Sequence, residues 1–316
     1  MLALGVDIGG MSMKFAVVDG TGKVVSKIGS IVSENGKQEE TALKLANAII
    51  EYLDSEGYDK KDIVGIGVGA PGTIDSDRGL VAYSNNLVWE NLELGRILRE
   101  VTGLKAKIAN DANAATLGEV KFGAGKKYKN AIMLTLGTGV GGGIIIDGEM
   151  YQGNLCAAGE LGHITLDMNS KKQCTCGRYG CFECYASASA LIAQTKEAMI
   201  ENKDSKMWEI VDGDLNQVNG KTAFDGKLMG DETAIKVVEN YVKYLGEGVL
   251  NYCNIFRPEA IIFSGGIANQ RDNLLNPLKK YCAERVWGFP KTPAVDLLIA
   301  ELGYQSGIIG AASLVL

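Results

Sequence analysis

The chain has 316 residues, 46% of them hydrophobic and 22% charged, and carries a net charge of −6. That length accommodates two domains with well-buried cores. The acidic balance, with no basic block interleaved with aromatics, argues against nucleic acid as a partner. No apolar run nears the roughly 18 residues of a membrane span, and the N-terminus enters "LALGVDIGG" without the basic region of a signal peptide. Seven cysteines, four of them within 174–184, suit metal binding in a reducing compartment better than a disulfide framework, so a cytoplasmic location is expected.

In chain order, "ALGVDIGGMSMKFAVVDGTGKVV" reads as strand, glycine turn, strand, Asp-Gly hairpin, strand. Residues 39–56 form an amphipathic helix. "DIVGIGVGAPG" is an apolar strand ending at Ala70-Pro71-Gly72. A helix over 92–102, the short strand "AKIAN" and the helix "ANAATLGEV" follow. About 130 residues after the first unit, "AIMLTLGTGVGGGIIIDGEMYQG" repeats its pattern, with Gly139 to Gly148 matching Gly10 to Gly20. This predicts an internal duplication with one β-hairpin phosphate loop per half. Further helices are expected over 185–200 and 232–255, a strand at "AIIFSGGI", and a terminal helix over 303–316. Residues 203–230 read as a polar, irregular surface insertion. Alternating strands and helices give an α/β class.

Three glycine turns follow apolar strands, at Gly9-Gly10, Gly137–Gly142 and Gly265-Gly266. Glycine lets backbone N–H groups approach phosphate oxygens without a side-chain clash. The middle run matches G-x-G-x-x-G, but a β-branched strand follows it instead of the helix that a dinucleotide loop must open, which removes the NAD-dependent dehydrogenase reading. "GAGKKY" lacks the Walker spacing. The three turns suit a nucleotide held between two hairpins with a separate adenosine pocket. At 110–115, "NDANAA" places Asn110, Asp111 and Asn113 at a strand end, where α/β sheets present ligand-binding groups. A helix N-cap explains one of these residues but not all three. Asp111 is the candidate base for a substrate hydroxyl.

The single histidine, His163, stands in Glu160-Leu161-Gly162-His163, ahead of Cys174-x-Cys176-x4-Cys181. Structural zinc takes four N/S ligands at tetrahedral corners, and His163, Cys174, Cys176 and Cys181 can close one such site. A four-cysteine site with Cys184 replacing His163, and a set of plain buried thiols, are the rivals. Glu160 and Glu183 bracket the cluster, and ionised carboxylates suit a polyhydroxylated ligand.

Together these segments resemble the ROK family (repressors, open reading frames, sugar kinases), especially its bacterial glucokinase-like members. "DIGGMSMK", "GVGAPGTID", "NDANAA", "GTGVGGG", "GELGHIT", "CTCGRYGCFECYAS" and "IIFSGGI" occur in the family's order over nearly the whole chain. The resemblance implies an actin-like, duplicated ribonuclease-H-like fold, with two lobes around a cleft. The small lobe would comprise 1–118 with the terminal helix packed back on it, and the large lobe 119–302 with the zinc segment. It implies Asp111 as catalytic base and sugar contacts at Gly72, Asn110, Asp111, Glu160, His163 and Glu183. ATP with Mg²⁺ would be held by Asp7, Gly9, Gly10, Lys14, Thr138, Gly139, Gly265 and Gly266, and structural Zn²⁺ by His163 and the three cysteines. The implied reaction is phosphorylation of a hexose 6-hydroxyl, glucose first. N-acetylmannosamine, N-acetylglucosamine and fructose are alternatives, as is a non-catalytic sugar sensor. The family's repressor branch carries an N-terminal helix-turn-helix that this chain lacks, which favours the kinase branch. A homodimer or homotetramer is expected. Met11 stands where the family usually has Thr, removing a hydroxyl from the first phosphate loop and leaving the backbone donors of Gly9 and Gly10.

Overall fold

The computed structural model describes residues 1–34 and 36–316. The chain divides into two compact units. The first comprises Met1–Asn130, Gly143–Gly159 and Glu301–Leu316, and the second Ala131–Gly142 and Glu160–Ala300. No helix among the described residues is long and apolar enough to cross a membrane.

The first unit opens with β1 (Leu2–Ile8) and β2 (Ser12–Asp19), antiparallel from Leu2↔Asp19 to Ile8↔Met13. The expected third strand after Gly20 is reduced to a single bridge, Val18↔Val24. The cause is local. The Asp19 carboxylate accepts the N–H groups of Thr21 and Lys23 and the Thr21 hydroxyl, and so folds the turn onto itself. The partner of β2 is instead β3 (Gly29–Val32). The chain continues through α1 (Gln38–Ser55), β4 (Ile63–Ala70), a small sheet of β5 (Thr73–Asp75), β6 (Leu80–Ser84) and β7 (Trp89–Leu92), then α2 (Leu94–Thr102), β8 (Ala106–Asn110) and α3 (Asp111–Phe122). Residues 89–92 being a strand shortens the helix expected from 92. The main sheet runs β3-β2-β1-β4-β8, with β1, β4 and β8 parallel.

The second five-stranded sheet has the same order. It is built from β9 (Ala131–Leu136), β10 (Val140–Ile146), β11 (Glu149–Met150), β12 (Ala260–Ser264) and β13 (Asp296–Ile299), arranged β11-β10-β9-β12-β13, with β9, β12 and β13 parallel. The chain passes from the second unit to the first inside β10, between Gly142 and Gly143. The duplication read from the two glycine-hairpin units is thus present as a repeated topology, that of the actin-like, duplicated ribonuclease-H-like fold. Between the strands lie α4 (Glu183–Ala186), α5 (Ala188–Glu201), α6 (Met207–Ile210), α7 (Thr222–Leu228), α8 (Glu232–Phe256) and α9 (Asp272–Ala283), and α10 (Ser306–Ala312) closes the chain. The helix expected over 185–200 is broken at Ser187, whose side chain caps α5 by accepting the Ala190 N–H.

The 203–230 segment is not the irregular surface insertion that its polarity suggests. It contains α6 and α7 and buries Met207, Val211, Ala223 and Phe224. Buried Asp231 holds it in place, taking the backbone N–H of Lys206, the Ser205 hydroxyl and the Ala234 N–H that begins α8.

Strand alternation decides how the first unit packs. In β1, Leu4, Val6 and Ile8 face the core shared with Leu45, Ile49 and Leu53 of α1, while Ala3 packs with Ile308, Ile309 and Ala312 of α10. On that second face the strands carry glycine where the helix crosses. A Cβ at Gly5 would collide with the Ile308 carbonyl, and one at Gly67 with the Ala311 carbonyl. A Cβ at Gly118 of α3 would lie 2.8 Å from the Gly310 Cα. α3 therefore continues unbroken through the 118/119 boundary expected between lobes. Fully buried Glu119 explains the continuity: its carboxylate accepts the N–H groups of Ala124, Glu301 and Leu302, tying α3 to the returning C-terminal segment. Gly67→Ala should lower the unfolding free energy by about 1–3 kcal/mol, the cost of overpacking a backbone contact. Urea denaturation checks this, and an unchanged midpoint would contradict the contact.

Candidate functional site

In the first unit the candidate residues gather at the C-terminal ends of parallel strands. Asn110 ends β8 and caps α3: its Oδ1 accepts the N–H groups of Ala112 (3.0 Å) and Asn113 (3.2 Å), and its Nδ2 donates to the Gly72 carbonyl (3.1 Å). Gly72 adopts φ +108°, and a Cβ there would strike the Tyr83 carbonyl, so glycine is required. Asn110 is thus both the cap of α3 and the strut to Gly72. Asn113 is buried, and its Oδ1 has no partner among the described residues.

Asp111 is the first residue of α3, and its Oδ1 accepts the Ala112 N–H at 2.8 Å. Burial raises its proton affinity above the usual carboxylate range, and backbone hydrogen bonds oppose the rise. Asp7, at the end of β1 opposite Lys14, is raised for a related reason: burial first, then the negative charge of Asp111, offset by Lys14. Asp7 therefore senses the charge of Asp111. Gly307 of α10 sits directly against Asp7, where a Cβ would meet the carboxyl group.

The Gly9-Gly10 turn departs in one respect from the expectation of two free backbone donors. The Gly9 N–H is used on Ser12 O (2.9 Å), and Ser33 Oγ caps the Gly9 carbonyl. Gly10 borders open space, and Met11 is 87% exposed beside it.

In the second unit Thr138 and Gly139 form the turn between β9 and β10, closed by Gly137 N–H on Gly139 O (3.1 Å). Gly265, at φ +89°, packs so closely that a Cβ would lie 2.5 Å from Leu136 O, while Gly266 borders open space. Parallel pairing of β12 with β9 thus brings these two glycine turns side by side.

The cysteine segment folds as the short spacings require. Gly177 and Gly180 take φ +85° and +70°, Gly177 N–H reaches Cys174 O, and Cys174 N–H reaches Arg178 O. His163 Nδ1 lies 3.4 Å from Cys174 Sγ, and Cys176 Sγ 3.7 Å from Cys181 Sγ. All four donor atoms lie within 4.8 Å of one another. Zn–S bonds of about 2.3 Å in a tetrahedron put sulfurs about 3.8 Å apart, so this donor set fits zinc. Cys184 is not in the group. Burial pushes the Cys181 thiol up to about 12 and Cys184 to about 11, while the Arg178 backbone N–H holds Cys176 below its ordinary value.

His163 has two working faces. Nδ1 points into the cysteine cluster, and Nε2 lies 3.9 Å from the Glu160 carboxylate, which is 70% exposed. Glu183 is differently employed from what the sequence suggested. Its Oε2 accepts the Val140 N–H at 2.9 Å and presses on Gly139, and its Oε1 accepts from Thr175 Oγ1 (3.2 Å) and Cys174 Sγ (3.5 Å). Glu183 therefore links the Gly137–Gly142 turn to the cysteine cluster. Thr175, the third member of that link, was missed, because a threonine between two cysteines carries no distinguishing pattern.

A model of the family described as ROK matches residues 3–316. The chain is 36% identical to a glucokinase of Halalkalibacterium halodurans, over 99% of this chain and 94% of that one. It is 31% identical to the xylose repressor of Bacillus subtilis, over 90% of this chain and 69% of that one. Among solved structures it is similar to a ROK family glucokinase from Streptomyces griseus in complex with glucose and AMPPNP, with 32% identity, a TM-score of 0.80 and 99% of each chain covered.

Because burial raises the proton affinity of Asp111, its ionised form costs folding free energy. The protonated form is favoured in the folded state, so this cost is absent below the unfolded value near 3.8 and appears as pH rises through the elevated folded value. Asp111→Asn should therefore melt higher than the parent at pH 7, with the gain shrinking to nothing as pH falls below about 4. Melting curves across pH check this; an Asn variant that is less stable at pH 7, or a gain independent of pH, would contradict it.

Proposed function

Since the chain belongs to the ROK family, we propose that it is an ATP-dependent hexose kinase that transfers the γ-phosphoryl group to the 6-hydroxyl of glucose. The observation that carries this reading is Asp111, a carboxylate at a strand end whose proton affinity is raised by desolvation, oriented by a backbone N–H and by its place next to the Asn110–Gly72 strut. A group that only recognises a sugar has no need of a base. In phosphoryl transfer a base orients the nucleophile and takes its proton, while positioning and charge neutralisation supply most of the rate.

The roles follow residue by residue. Asp111 accepts the proton of the attacking 6-hydroxyl. Asn110 and Gly72 hold the backbone around it. Glu160 and the Nε2 face of His163 bind sugar hydroxyls, and Glu183 contributes by fixing the Gly137–Gly142 turn. Gly10 offers the free donor of the first phosphate loop, Gly9 shapes that loop, and Thr138 and Gly139 serve the second. Gly265 and Gly266 flank the adenosine, and Lys14 offsets the charge of Asp7. Mg²⁺ arriving with ATP would neutralise charge on the transferred phosphate, and Asp7, at the end of β1, would be a carboxylate facing it. Zn²⁺ is held by His163, Cys174, Cys176 and Cys181. Its contribution is structural: metal binding is coupled to local folding, and this fold orients the histidine ring that points Nε2 toward Glu160. The regulatory reading, suggested by the likeness to a xylose repressor, lacks a use for a base at this position.

Asp111→Asn should lower kcat by about 10²-fold or more while the Kd for glucose changes little, since Asn keeps the shape but cannot take the proton. Near-normal turnover in a homogeneous preparation would overturn the assignment. Metal analysis should find one zinc per chain, lost in Cys174→Ser, Cys176→Ser or Cys181→Ser and kept in Cys184→Ser. The reverse pattern, with Cys184 required and His163 dispensable, would establish the four-cysteine site.

A further inference from the structure

The first unit holds a cavity of about 500 Å³ along the edge strand β8. None of the residues assigned to catalysis or nucleotide binding lines it. Its volume falls within the range of about 300–1,000 Å³ typical of small-molecule sites. What distinguishes it is its charge pattern.

Three cations converge on it from separate elements: Arg99 of α2, Lys107 of β8 and Lys121 of α3. Among the described residues, none of the three pairs with a carboxylate within 4.0 Å. The Arg99 guanidinium lies over a pair of glycines, where a Cβ at Gly95 would come within 3.4 Å of Nη1. Lys121 gives one N–H to the Ser313 carbonyl at 2.8 Å, leaving two donors. Burial and the nearby charge of Lys107 both lower its proton affinity, while Glu149 opposes them. A bound anion would relieve the repulsion between the two lysines. Two carboxylates, Asp77 and Glu149, line the same space. Ser76 on the β5–β6 turn lines it as well, and its hydroxyl is buried with no partner among the described residues.

A bare anion would satisfy the cations but be repelled by the carboxylates. A neutral sugar would satisfy the carboxylates and leave the cations unpaired. A polyhydroxylated phosphate monoester satisfies both. Its phosphate, close to a dianion at neutral pH, matches Arg and Lys, and its hydroxyls donate to Asp and Glu. We propose that this cavity is a binding site for a sugar phosphate, distinct from the site of phosphoryl transfer.

The location gives such binding a route to turnover. Lys107 to Ala109 of the cavity wall lead directly into Asn110 and Asp111. Leu117 and Lys121 stand on the helix that Asp111 begins, and Ser313 follows α10, which packs on that helix at Gly118 and Gly310. An occupant therefore touches β8 and α3, the strand and helix whose junction carries Asn110 and Asp111, and the residues that follow α10. The binding claim stands by itself; the effect on turnover rests on the kinase reading.

Calorimetric titration separates the two. With the transfer site blocked by saturating glucose and AMPPNP, glucose 6-phosphate should bind to one further site per chain. Arg99→Ala and Lys107→Ala, both at exposed side chains, should each weaken it by tenfold or more, while melting points and the KM for glucose and ATP stay at parent values. Inorganic phosphate and glucose, titrated singly, should bind at least tenfold more weakly. Absence of binding to the blocked chain, binding unaffected by either variant, or inorganic phosphate binding as tightly as glucose 6-phosphate would each overturn the proposal. A chain without kinase activity would still show the binding, so the two readings fail separately.

Discussion

Helix α10 meets strands β1 and β4 backbone to backbone at two points, because Gly5 and Gly67 leave room for the carbonyls of Ile308 and Ala311. It meets α3 in the same way, at Gly118 and Gly310. Backbone packed on backbone tolerates little sliding, since each offset drives atoms into repulsion. The contact therefore fixes the level of α3 against the sheet, and with it Asp111 at the helix start. It also brings Gly307 against Asp7, which senses the charge of Asp111. Glu119 reinforces the arrangement by accepting three backbone N–H groups, two of them from the returning segment.

The second unit is organised around a carboxylate. Glu183 joins a glycine turn to the cysteine cluster, through Val140 N–H on one oxygen and Thr175 and Cys174 on the other. A disturbance of the cysteine segment thus reaches the Gly137–Gly142 turn through one side chain. Truncating Glu183 would leave buried donors unsatisfied, which costs more than the net worth of the bonds themselves.

The sheet strands and the glycine turns were legible in the sequence because each couples a strong period to a strong breaker. "LGVDIGG" and "IMLTLGTG" can be little else, and their recurrence exposed the doubled topology. Spacing also offered the donor set of His163, Cys174, Cys176 and Cys181, beside a four-cysteine rival that uses Cys184, and the four donor atoms of the first set lie within 4.8 Å of one another. What stayed hidden depends on tertiary partners. The 203–230 segment looks polar because its buried residues are few, and its order comes from Asp231, which lies outside it in sequence. The β5–β7 sheet escaped notice because its strands are three to five residues long. Glu119 reads as one acid in an apolar helix, and only the return of residues 301 and 302 gives it work. The free or occupied state of Gly9 and Glu183 depends on hydrogen bonds that residue types do not encode.

This fold performs phosphoryl transfer to a sugar hydroxyl and does more than bind the sugar. The most direct measurement is ³¹P NMR of the metal-loaded chain incubated with ATP, Mg²⁺ and glucose. One ADP should appear for each new phosphate monoester, with the phosphate on the 6-oxygen of glucose. Saturable glucose binding with no ADP formed above the rate without protein would contradict it.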